Sequence, residues 1–585
     1  MKPLNPQFRQ RITNPGLQAG LTDWPHVLRR VFSARGIDNP RQTHYSLQSM
    51  LPPSEIKHLQ RTAELLATHL QQQSRILIFG DYDCDGATST ALCVRGLSNL
   101  GHTQVNFLLP DRVQDGYGVS RGVAQRIIAM QPDLVITVDS GISSFEGLQH
   151  LHDAGISVIV TDHHLPAQHL PTATAIINPN AFPESAGKNL AGVGVAFYLM
   201  LALRSELRQR GWFDSHPEPN MADLLDLVAI GTVADLVPLD YNNRILVAEG
   251  LKRIRAGACS AGIRALIDCS GRSRELLSSE DIAFSLAPRI NAAGRLDDMS
   301  IGVQTLLTED AHAARHLARE LDDINHYRRE LQARMTEQAE SMLPELASLE
   351  GDSEQRYSYI LYQPGWHEGI VGIIASRIKD MTFRPAISFA PAENDLLKGS
   401  CRSIPGIHIR DMLDLVDKTH PGVIRRFGGH AMAAGLTIDK AQFEPFSQHF
   451  EQVLRDYVDP ACFDSVIEHD GEIDAADFSL PLALQLREAG PWGQRFPSPS
   501  FIGEFKVLDQ RIVGERHLKF VLSPMPQGEA IDAILFYASD PQLNSSYKRL
   551  HIHYELSVNV FRERQTLQLM IRHLIDDESS VRSAS

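Results

Sequence analysis

Three apolar runs of the sequence end in side chains that commonly bind metals. These carboxylate and imidazole groups are, in chain order, Asp81, Asp83, Asp85, Asp139, Asp162, His163 and His164. The runs have the character of parallel strands, and the carboxyl ends of such strands line one crevice. Carboxylates gathered there would repel one another, so that without a counter-charge some would bind protons at raised pKa values. The spacing therefore predicts a site for divalent cations.

The donor types narrow the choice of metal and of chemistry. Oxygen ligands with one or two imidazoles and no sulfur favour Mn²⁺ or Mg²⁺, with Zn²⁺ and Co²⁺ as alternatives. Two ions bridged by a carboxylate suit phosphoryl chemistry, and we expect Asp139 or Asp85 to be the bridge. On an extended segment Asp81, Asp83 and Asp85 would alternate, and two of them would chelate from one side. An Asp at a strand-to-helix turn can equally be a helix cap.

An α/β pattern between Arg75 and Leu239 must position these residues. Short apolar runs alternate there with helical spacers, at 75–79, 105–109, 134–138, 158–161 and 175–177. Near-continuous apolar runs divided by helices predict a doubly wound parallel sheet, because helices cover both of its faces.

A long helix is predicted to follow this region. Thr308 is the expected N-cap, with Glu309 and Asp310 in the first turn, and apolar residues then recur at helical spacing as far as Met342. Pro344 is expected to end the helix, since proline cannot donate the next backbone hydrogen bond.

Two further regions follow the long helix. A second α/β unit is expected from about residue 358 to 454, with strands at 359–362 and 385–389. Beyond Gly493 the pattern changes to β alternation, seen at 552–560 and 567–571. Several short strands within roughly 100 residues predict a small barrel or sandwich.

The amino-acid composition limits the classes of protein to which the chain can belong. With 585 residues, 43% hydrophobic and 22% charged, the chain has the composition of a globular protein of several domains. A net charge of −15 argues against wrapping nucleic acid over the whole surface, although basic residues are concentrated between Lys398 and His430. The 6 cysteines form no CxxC pair, which argues against disulfides and thiolate metal sites. Neither a signal peptide nor an apolar span is recognised, so we expect a cytoplasmic protein without a membrane partner.

The motif Asp81-Tyr-Asp-Cys-Asp-Gly86 followed by Asp162-His-His164 resembles the signature of the DHH phosphoesterases. Further segments resemble the bacterial single-strand-specific exonucleases of that family. They are residues 111–118, 191–196, 231–235, 288–295, 366–372, 399–403 and 428–435. Together the matching segments cover most of the chain.

The resemblance implies an order of domains. It implies an α/β fold with a parallel-sheet DHH domain and a DHH-associated domain joined by a long helix, plus a C-terminal all-β OB fold. The expected boundaries are an N-terminal helical region (1–70), the DHH catalytic domain (71–308), the connecting helix (309–348), the DHH-associated domain (349–458), the OB fold (459–577) and a flexible tail (578–585).

The resemblance also implies roles for the metal-binding residues. It makes metal ligands of Asp83, Asp85, Asp139, His163 and Asp235, with His164 beside them and Asp81 supporting them. Asp235 is identified only in this way, because a single acid after a helix otherwise indicates a helix cap. Cys84 departs from the family pattern, which usually has alanine there, and a small thiol should fit.

A second set of residues is implied to hold the 5′-phosphate and the strand. They are Arg112, Arg289, Ser400, Arg402 and His430. Taken alone, such residues suit charge-assisted phosphate contacts but equally suit surface salt bridges. The C-terminal β region adds basic and aromatic residues, namely Lys506, Arg511, Arg516, Lys519, Arg562, Arg564, Phe505, Phe520 and Phe561. These aromatics could stack on bases, but we expect most of them in the barrel core.

The resemblance implies a processive, monomeric 5′-to-3′ exonuclease of DNA repair and recombination. It would release 5′-mononucleotides from single-stranded DNA with two divalent metal ions, Mn²⁺ or Mg²⁺, and its candidate partners are single-strand-binding protein and a helicase. Two alternatives stay open. A DHH hydrolase of small substrates, such as short oligonucleotides or cyclic dinucleotides, would not need the barrel. A non-catalytic DNA-binding scaffold would not need the intact ligand set.

Overall fold

The computed structural model describes residues 6–37, 39–112, 114–348, 356–514, 516–526, 528–561 and 564–575, without the side chains of 17–19, 345–348 and 561. The expected flexible tail at 578–585 lies outside these residues. Two compact units divide the chain. The larger comprises Gln10–Asp322 and His469–Ser585, and the smaller comprises Met1–Arg9 and Asp323–Glu468. Within the described part of the chain, no helix has the length and apolar character needed to cross a membrane.

The N-terminal region is mostly helical. Its elements are strand β1 (Gln7–Gln10) and helices α1 (Pro15–Gly20), α2 (His26–Ser33) and α3 (Leu59–Gln71). Val31 in α2 and Leu66 in α3 are fully buried and belong to the same hydrophobic core as the sheet that follows. These helices therefore cover the catalytic unit and have no separate core.

A five-stranded parallel sheet forms the centre of the larger unit. Its elements are β2 (Ile76–Phe79), α4 (Cys84–Asn99), β3 (Val105–Leu108), α5 (Arg121–Ala129), β4 (Leu134–Val138), α6 (Phe145–Asp153), β5 (Ser157–Thr161) and β6 (Ala175–Ile177). The strand order is β3-β2-β4-β5-β6, and each pair is parallel. The predicted doubly wound sheet is thus confirmed. Because the order reverses beside β2, the ligand-binding crevice of such a sheet lies at the carboxyl ends of β2 and β4.

Helices complete the catalytic part of the larger unit. They are α7 (Gly192–Gln209), α8 (Leu225–Ala234), α9 (Tyr241–Arg255), α10 (Ala261–Ser270), α11 (Ser279–Asp281), α12 (Ala287–Leu296), α13 (Ser300–Leu307) and α14 (Ala311–Ser348). A π-helical turn, Ile282–Leu286, joins α11 to α12. The division between the two units falls inside α14, between Asp322 and Asp323.

The predicted N-cap of the long helix is wrong, and so is the expectation that Pro344 ends it. Thr308 is the C-cap of α13, and Asp310 caps α14 instead, since its Oδ1 accepts from the backbone N–H groups of His312 and Ala313. At the other end α14 continues past Pro344 to Ser348. Proline removes one intrahelical hydrogen bond, and packing can outweigh that loss, so it does not always end a helix.

The smaller unit is an α/β body with a mixed sheet. Its elements are β7 (Tyr359–Tyr362), α15 (Glu368–Thr382), β8 (Ala386–Pro391), β9 (Leu396–Arg402), α16 (Ile409–Thr419), β10 (Arg426–Gly429), β11 (Ala433–Asp439) and α17 (Phe443–Tyr457). The sheet order is β10-β11-β9-β8-β7, and only β7 and β8 are parallel. A separate hydrophobic core, which includes Phe389, Phe446 and Phe450, holds it together.

The C-terminal region is the predicted barrel. Its elements are β12 (Val466–His469), α18 (Leu480–Glu488), β13 (Phe501–Val513), β14 (His517–Pro524), β15 (Ile531–Leu535), α19 (Asp540–Leu543), β16 (Arg549–Phe561) and β17 (Arg564–Ile575). Strand β12 pairs with β1, and the next five strands close in the order β13-β14-β15-β17-β16.

The barrel shares its core with the catalytic sheet and the N-terminal helices. Barrel residues such as Phe501 and Tyr554 belong to the same buried cluster as the helices around the sheet. Asp470 has a fully buried side chain and pairs with Arg35 at 2.8 Å. The ring of Trp492 lies 6.3 Å from that of Phe32. The barrel is therefore an integral part of the larger unit.

Candidate metal centre and phosphate-binding residues

The first acidic turn combines helix capping with ligand placement. Helix α4 begins at Cys84, and Asp83 Oδ1 accepts from the backbone N–H groups of Asp85 and Gly86, each at 3.0 Å. Asp85 therefore lies in the first helical turn, and the prediction of three alternating Asp on an extended segment is wrong. A Cβ at Gly86 would lie 2.5 Å from the carbonyl oxygen of Asp81, so only glycine fits. Capping occupies one oxygen of Asp83 and leaves the other for a metal.

The N-terminus of α7 holds Asp85. Its carboxylate accepts from the backbone N–H groups of Gly192 at 2.6 Å and Val193 at 2.9 Å, where the helix dipole favours negative charge. A Cβ at Gly192 would lie 2.6 Å from Cβ of Asp139. The glycine thus lets one helix end approach two acidic residues.

Asp139 and His163 lie at the centre of the group. Asp139 adopts a left-handed backbone conformation with φ 55° at the end of β4. His163 Nε2 lies 3.1 Å from Asp139 Oδ1, 3.5 Å from Asp235 Oδ2 and 3.9 Å from Asp85 Oδ2. Asp235, the C-cap residue of α8, therefore joins residues that are more than 70 positions away in the chain.

Asp162 organises the turn after β5. Its Oδ1 accepts from the backbone N–H groups of His163 and His164, and its Oδ2 accepts from that of Ile142 at 3.0 Å. His164 Nδ1 lies 2.8 Å from Asp162 Oδ1. Both oxygens of the Asp162 carboxylate therefore accept hydrogen bonds from within the protein, and His164 Nδ1 is one of their partners. The sequence prediction assigns no such role to Asp162, although its place in the motif is the available signal.

Several polar atoms of the group are buried and have no partner with hydrogen-bond geometry among the described residues, although two of them, His163 Nε2 and Asp139 Oδ1, lie only 3.1 Å apart. They are Asp81 Oδ1, Asp139 Oδ1, His163 Nε2 and Asp235 Oδ2. Buried polar atoms are nearly always hydrogen-bonded, so orphaned acceptors that face one another require another partner. Sets of three ligand atoms within 4.8 Å of one another occur for Asp85, His163 and Asp235, and for Asp81, Asp83 and Asp139. The donor set fits divalent cations that prefer oxygen and imidazole.

The electrostatics agree with this fit. Burial, and then the charge of Asp83, raise the pKa of Asp81 to about 8 and that of Asp85 to about 7. Burial and the charge of Asp85 also raise the pKa values of Asp139 and Asp235. Carboxylates crowded in this way are stabilised in their charged form by a cation.

The two histidines differ in their titration. Burial, and then the charge of His164, lower the pKa of His163 to about 4, which keeps the imidazole neutral and able to bind a metal. Burial acts against protonation of His164, but the hydrogen bond to Asp162 outweighs it and raises the pKa to about 9. Burial raises the pKa of the Cys84 thiol, so Cys84 is no thiolate ligand.

Arg112 lies beside the acidic turn. Its guanidinium carbon lies 4.0 Å from the ring centre of Tyr82, and its Nε donates to the carbonyl of Gly294 at 2.9 Å. Its charge acts to lower the pKa of Asp81 against the larger effect of burial. Arg112 is therefore near enough to act electrostatically on Asp81, and its role as a phosphate contact stays a prediction.

Arg289, in α12, is held by the preceding π-helical turn and by α14. Its Nε donates to Asp322 Oδ1 at 2.8 Å and its Nη1 to the carbonyl of Ser285 at 2.7 Å. Its role as a phosphate contact stays a prediction. Two residues further along α12, Asn291 Oδ1 accepts from the backbone N–H of Cys84 at 2.8 Å. Helix α12 thus supports the acidic turn, a role that the sequence of segment 288–295 does not predict.

Ser400 and Arg402 lie on the same face of β9 in the smaller unit. Arg402 Nη1 donates to Ser400 Oγ at 3.1 Å. A Cβ at Gly372 in α15 would lie 3.0 Å from both Ser400 Oγ and Arg402 Nη2, so the glycine leaves room beside them. Arg402 pairs with Ala433 in β11, whose carbonyl accepts from the backbone N–H of His430. Ser400, Arg402 and the His430 turn therefore lie at one end of that sheet.

Other basic residues of the smaller unit are paired on the surface. Lys398 pairs with Glu368 at 2.8 Å and Arg425 with Asp439 at 2.9 Å.

In the barrel, Phe505 and Phe520 are buried, as expected. The basic residues Lys506, Arg511, Arg516 and Arg564 are exposed. Lys519 pairs with Asp532 at 2.9 Å. Arg562 and the side chain of Phe561 lie outside the described residues.

Comparisons with known proteins match this arrangement. Residues 75–232 match the DHH family N-terminal domain, 355–456 the DHHA1 domain and 469–573 the RecJ OB domain. The chain is 47% identical over 577 residues to the single-stranded-DNA-specific exonuclease RecJ of Dickeya dadantii, which covers 97% of this chain and 99% of that protein. Crystal structures of RecJ from Thermus thermophilus with Mn²⁺ and with Mg²⁺ are similar, with TM-scores of 0.80 and 0.75. Both are 29% identical and cover 98% of this chain and 80% and 79% of theirs.

Proposed function

Because the chain belongs to the RecJ family of single-stranded-DNA-specific exonucleases, we propose that it removes 5′-mononucleotides from the 5′ end of single-stranded DNA. The reaction is the metal-dependent hydrolysis of a phosphodiester bond. The chain acts in DNA repair and recombination.

One observation carries the proposal. Within the described part of the chain, buried acceptor atoms of Asp81, Asp139, His163 and Asp235 have no partner with hydrogen-bond geometry, and they lie within one group. A structural cluster of this kind would satisfy its acceptors with backbone N–H groups, as Asp85 and Asp162 do. A pair of divalent ions, Mn²⁺ or Mg²⁺, satisfies the remaining atoms.

The ligand atoms form two close sets, Asp85 with His163 and Asp235, and Asp81 with Asp83 and Asp139. The residues that would hold the ions are Asp83, Asp85, Asp139, His163 and Asp235, with Asp81 supporting them. Asp139 is the better candidate for the bridge, because both oxygens of Asp85 already accept backbone hydrogen bonds whereas Asp139 Oδ1 accepts none. When bound, such a pair lowers the pKa of the attacking water and offsets charge on the reacting phosphate.

The chain's own residues orient the substrate. His164 is fixed through Nδ1 by Asp162, which leaves Nε2 for a phosphate oxygen. Arg112, beside Tyr82, binds a phosphate near the acidic residues, and Arg289 is a second contact in the same unit. In the smaller unit, Ser400, Arg402 and His430 form a separate set of phosphate contacts. Charge-assisted bonds of this kind are short and directional, and they give an end-specific enzyme its preference for a phosphorylated terminus.

The domains expected from the sequence take separate roles. Residues 71–308 carry the chemistry, the helix within 309–348 connects, and 349–458 adds phosphate contacts. The OB fold at 459–577 binds the strand through exposed basic residues, since its aromatics Phe505 and Phe520 are in the core. The N-terminal helices at 1–70 stabilise the catalytic sheet.

The alternative of a small-substrate DHH phosphoesterase is less well supported. A barrel that shares the core of the catalytic unit and presents Lys506, Arg511 and Arg516 to solvent has no use in the hydrolysis of a cyclic dinucleotide. A scaffold without catalysis is disfavoured by the complete set of unsatisfied acceptors.

Three finer features belong to the same proposal. The enzyme works as a monomer, it acts in the cytoplasm, and single-strand-binding protein and a helicase are its candidate partners. A helicase would supply the single strand, and a protein that coats single strands would present it.

A digestion assay tests the proposal. A long single strand labelled at its 5′ end, the same strand labelled at its 3′ end, and a blunt duplex are incubated with Mn²⁺, Mg²⁺ or a chelator. We expect immediate release of labelled mononucleotide from the 5′-labelled strand, late release from the 3′-labelled strand, and almost none from the duplex or with chelator. Turnover of a cyclic dinucleotide with no attack on the long strand would instead support the small-substrate alternative.

A further inference from the structure

The hydroxyl of Tyr117 lies between two turns that carry residues of the metal centre. It donates to the main-chain carbonyl of Asp139 at 3.3 Å and lies 3.1 Å from His164 Nδ1. The first turn follows β4 and the second follows β5.

The hydrogen-bond roles are consistent with a proton on His164 Nδ1. Nδ1–H donates to Asp162 Oδ1 at 2.8 Å, and the phenol oxygen of Tyr117 is its second acceptor. The phenol O–H is then free to donate to the Asp139 carbonyl. The ring of Tyr117 also contacts the His164 ring edge to face, with centroids 5.6 Å apart. One side chain thus restrains both the His164 ring and the backbone of Asp139.

The backbone at Asp139 is the part that needs such support. Its φ of 55° is a left-handed conformation that a non-glycine residue adopts only when its surroundings hold it there. Of the three carboxylates near His163 Nε2, Asp139 lies closest, with its Oδ1 at 3.1 Å. A change in this turn would therefore move a carboxylate in the middle of the ligand group.

The loop that carries Tyr117 is itself anchored. Gly118 has φ +73° and a Cβ there would lie 2.5 Å from Ser144 Oγ, which accepts from the backbone N–H of Val119 at 2.9 Å. Asp115 holds the preceding turn through Arg126 at 2.7 Å. The hydroxyl is thus presented from a rigid support, although 43% of the Tyr117 residue is exposed.

We propose that Tyr117 is a positioning residue of the nuclease reaction, whose hydroxyl fixes Asp139 and His164 relative to each other. The inference rests on the proposed function for its catalytic consequence, but its effect on the metal ligands does not depend on the substrate. It differs from a role in stacking on bases, which would need only the ring.

The substitution Tyr117→Phe removes the hydroxyl and keeps the ring. We expect kcat on single-stranded DNA to fall about tenfold, as the loss of hydrogen bonds worth roughly 1.4 kcal/mol implies, with KM changed less than about twofold. Mn²⁺ binding measured by calorimetry in the absence of DNA should weaken by a similar factor. The second variant, Tyr117→Leu, removes the ring as well and should lower kcat no less.

Tyr198→Phe is the matched control. Tyr198 also donates through its hydroxyl, to the carbonyl of Leu51 at 3.1 Å, but it lies in α7 away from the ligand atoms. The Tyr198→Phe substitution should lower the melting temperature and leave kcat and Mn²⁺ affinity unchanged. Wild-type kcat and Mn²⁺ affinity in Tyr117→Phe would overturn the inference. So would a raised KM with unchanged kcat, which would assign the side chain to strand binding. If the wild-type protein bound Mn²⁺ but left single-stranded DNA intact, the proposed function would fail while the Mn²⁺ comparison still tested Tyr117.

Discussion

Each carboxylate of the metal centre combines a structural and a chemical task at the scale of single atoms. Asp83 caps α4 with one oxygen, and Asp85 accepts from the N-terminus of α7. Asp162 is consumed entirely by backbone N–H groups and His164. Asp139 Oδ1 and Asp235 Oδ2 accept no hydrogen bond from any residue that the structure describes. The protein thus fixes the acidic side chains through some of their oxygens and keeps others for cations.

Replacing Asp139 by Asn should abolish turnover and stabilise the metal-free protein. Asparagine has nearly the same size as aspartate. It lacks the carboxylate of Asp139, whose charged form is destabilised by burial and by the charge of Asp85. We expect turnover to fall more than about a hundredfold, beyond the loss typical of residues that only support a ligand. Saturating Mn²⁺, at about 100 times its dissociation constant, should stabilise the wild type by about 2.7 kcal/mol and the variant by much less. Calorimetric melting with and without Mn²⁺ measures this stabilisation. An equal rise in melting temperature on adding Mn²⁺ to both proteins would show that Asp139 is not a ligand.

Replacing Arg402 by Ala should reduce the preference for a 5′-phosphorylated end. One charge-assisted contact is worth about 1.5 to 3 kcal/mol, or roughly tenfold or more in the ratio of kcat/KM for 5′-phosphate and 5′-hydroxyl strands. Arg425→Ala is the control, because Arg425 pairs with Asp439 on the surface of the same unit. Equal ratios in the wild type and both variants would reassign Arg402 to structure.

At the scale of elements, two helices bring distant carboxylates together. Helix α4 carries Asp83 and Asp85 at its start, and α8 has Asp235 at its end. Arg95 in α4 pairs with the fully buried Asp226 in α8, through Nη1 to Oδ2 at 3.2 Å and a second bond to Oδ1. Asp226 Oδ1 also accepts from the backbone N–H of Leu227. This ion pair sets the relative placement of the two helices at a distance from the ligands.

Asp226→Ala should be strongly destabilising. It leaves the guanidinium of Arg95, whose side chain is 15% exposed, without its buried partner, and breaking such a pair costs about 3 to 5 kcal/mol. The matched control is Glu218→Ala, which breaks the exposed pair with Arg208 and should cost much less, because solvent screens exposed ion pairs. Urea unfolding of both variants provides the comparison. Similar losses in the two would show that the helix pair is held by apolar packing alone.

Strands are easier to predict than helix ends. The strands of the parallel sheet are buried on both faces, as β2 and β4 show, so their apolar runs are nearly continuous and local sequence suffices. The start of α14 depends on which of Thr308 and Asp310 reaches its N–H groups, and its end depends on how packing offsets Pro344. Asp235 could be predicted only by resemblance, since its neighbours in the site come from other elements. The support that Asn291 and Asp162 provide is equally non-local.

On the scale of the whole molecule, the barrel and the catalytic sheet form one body. Asp470, buried between Arg35 and Arg11, lies where the N-terminal region meets the segment that leads into the barrel. The apolar pattern of the barrel and that of the catalytic sheet, each taken alone, do not show that the two regions pack against each other. The smaller unit has its own core.

Removing residues after Pro460 should therefore abolish cooperative folding of the larger unit. The deletion exposes the apolar side chains that face Trp492 and the barrel, each worth about 1.5 to 3 kcal/mol when fully buried. A chain that ends at Ile575 keeps every described residue and serves as the control. Circular dichroism during thermal unfolding, with limited proteolysis, measures the effect. A monomeric shortened chain with the melting temperature of the control would show that the barrel folds apart from the catalytic sheet.

The most direct test of the account is anomalous diffraction at the manganese edge from crystals of the protein soaked in Mn²⁺. The account predicts two peaks roughly 3.5 to 4 Å apart, the spacing of two-metal phosphodiesterase sites. Both should lie within coordination distance of ligand atoms of Asp83, Asp85, Asp139, His163 and Asp235, with Asp139 contacting both. A single peak, or peaks that Asp139 and His163 do not contact, would contradict the two-metal centre.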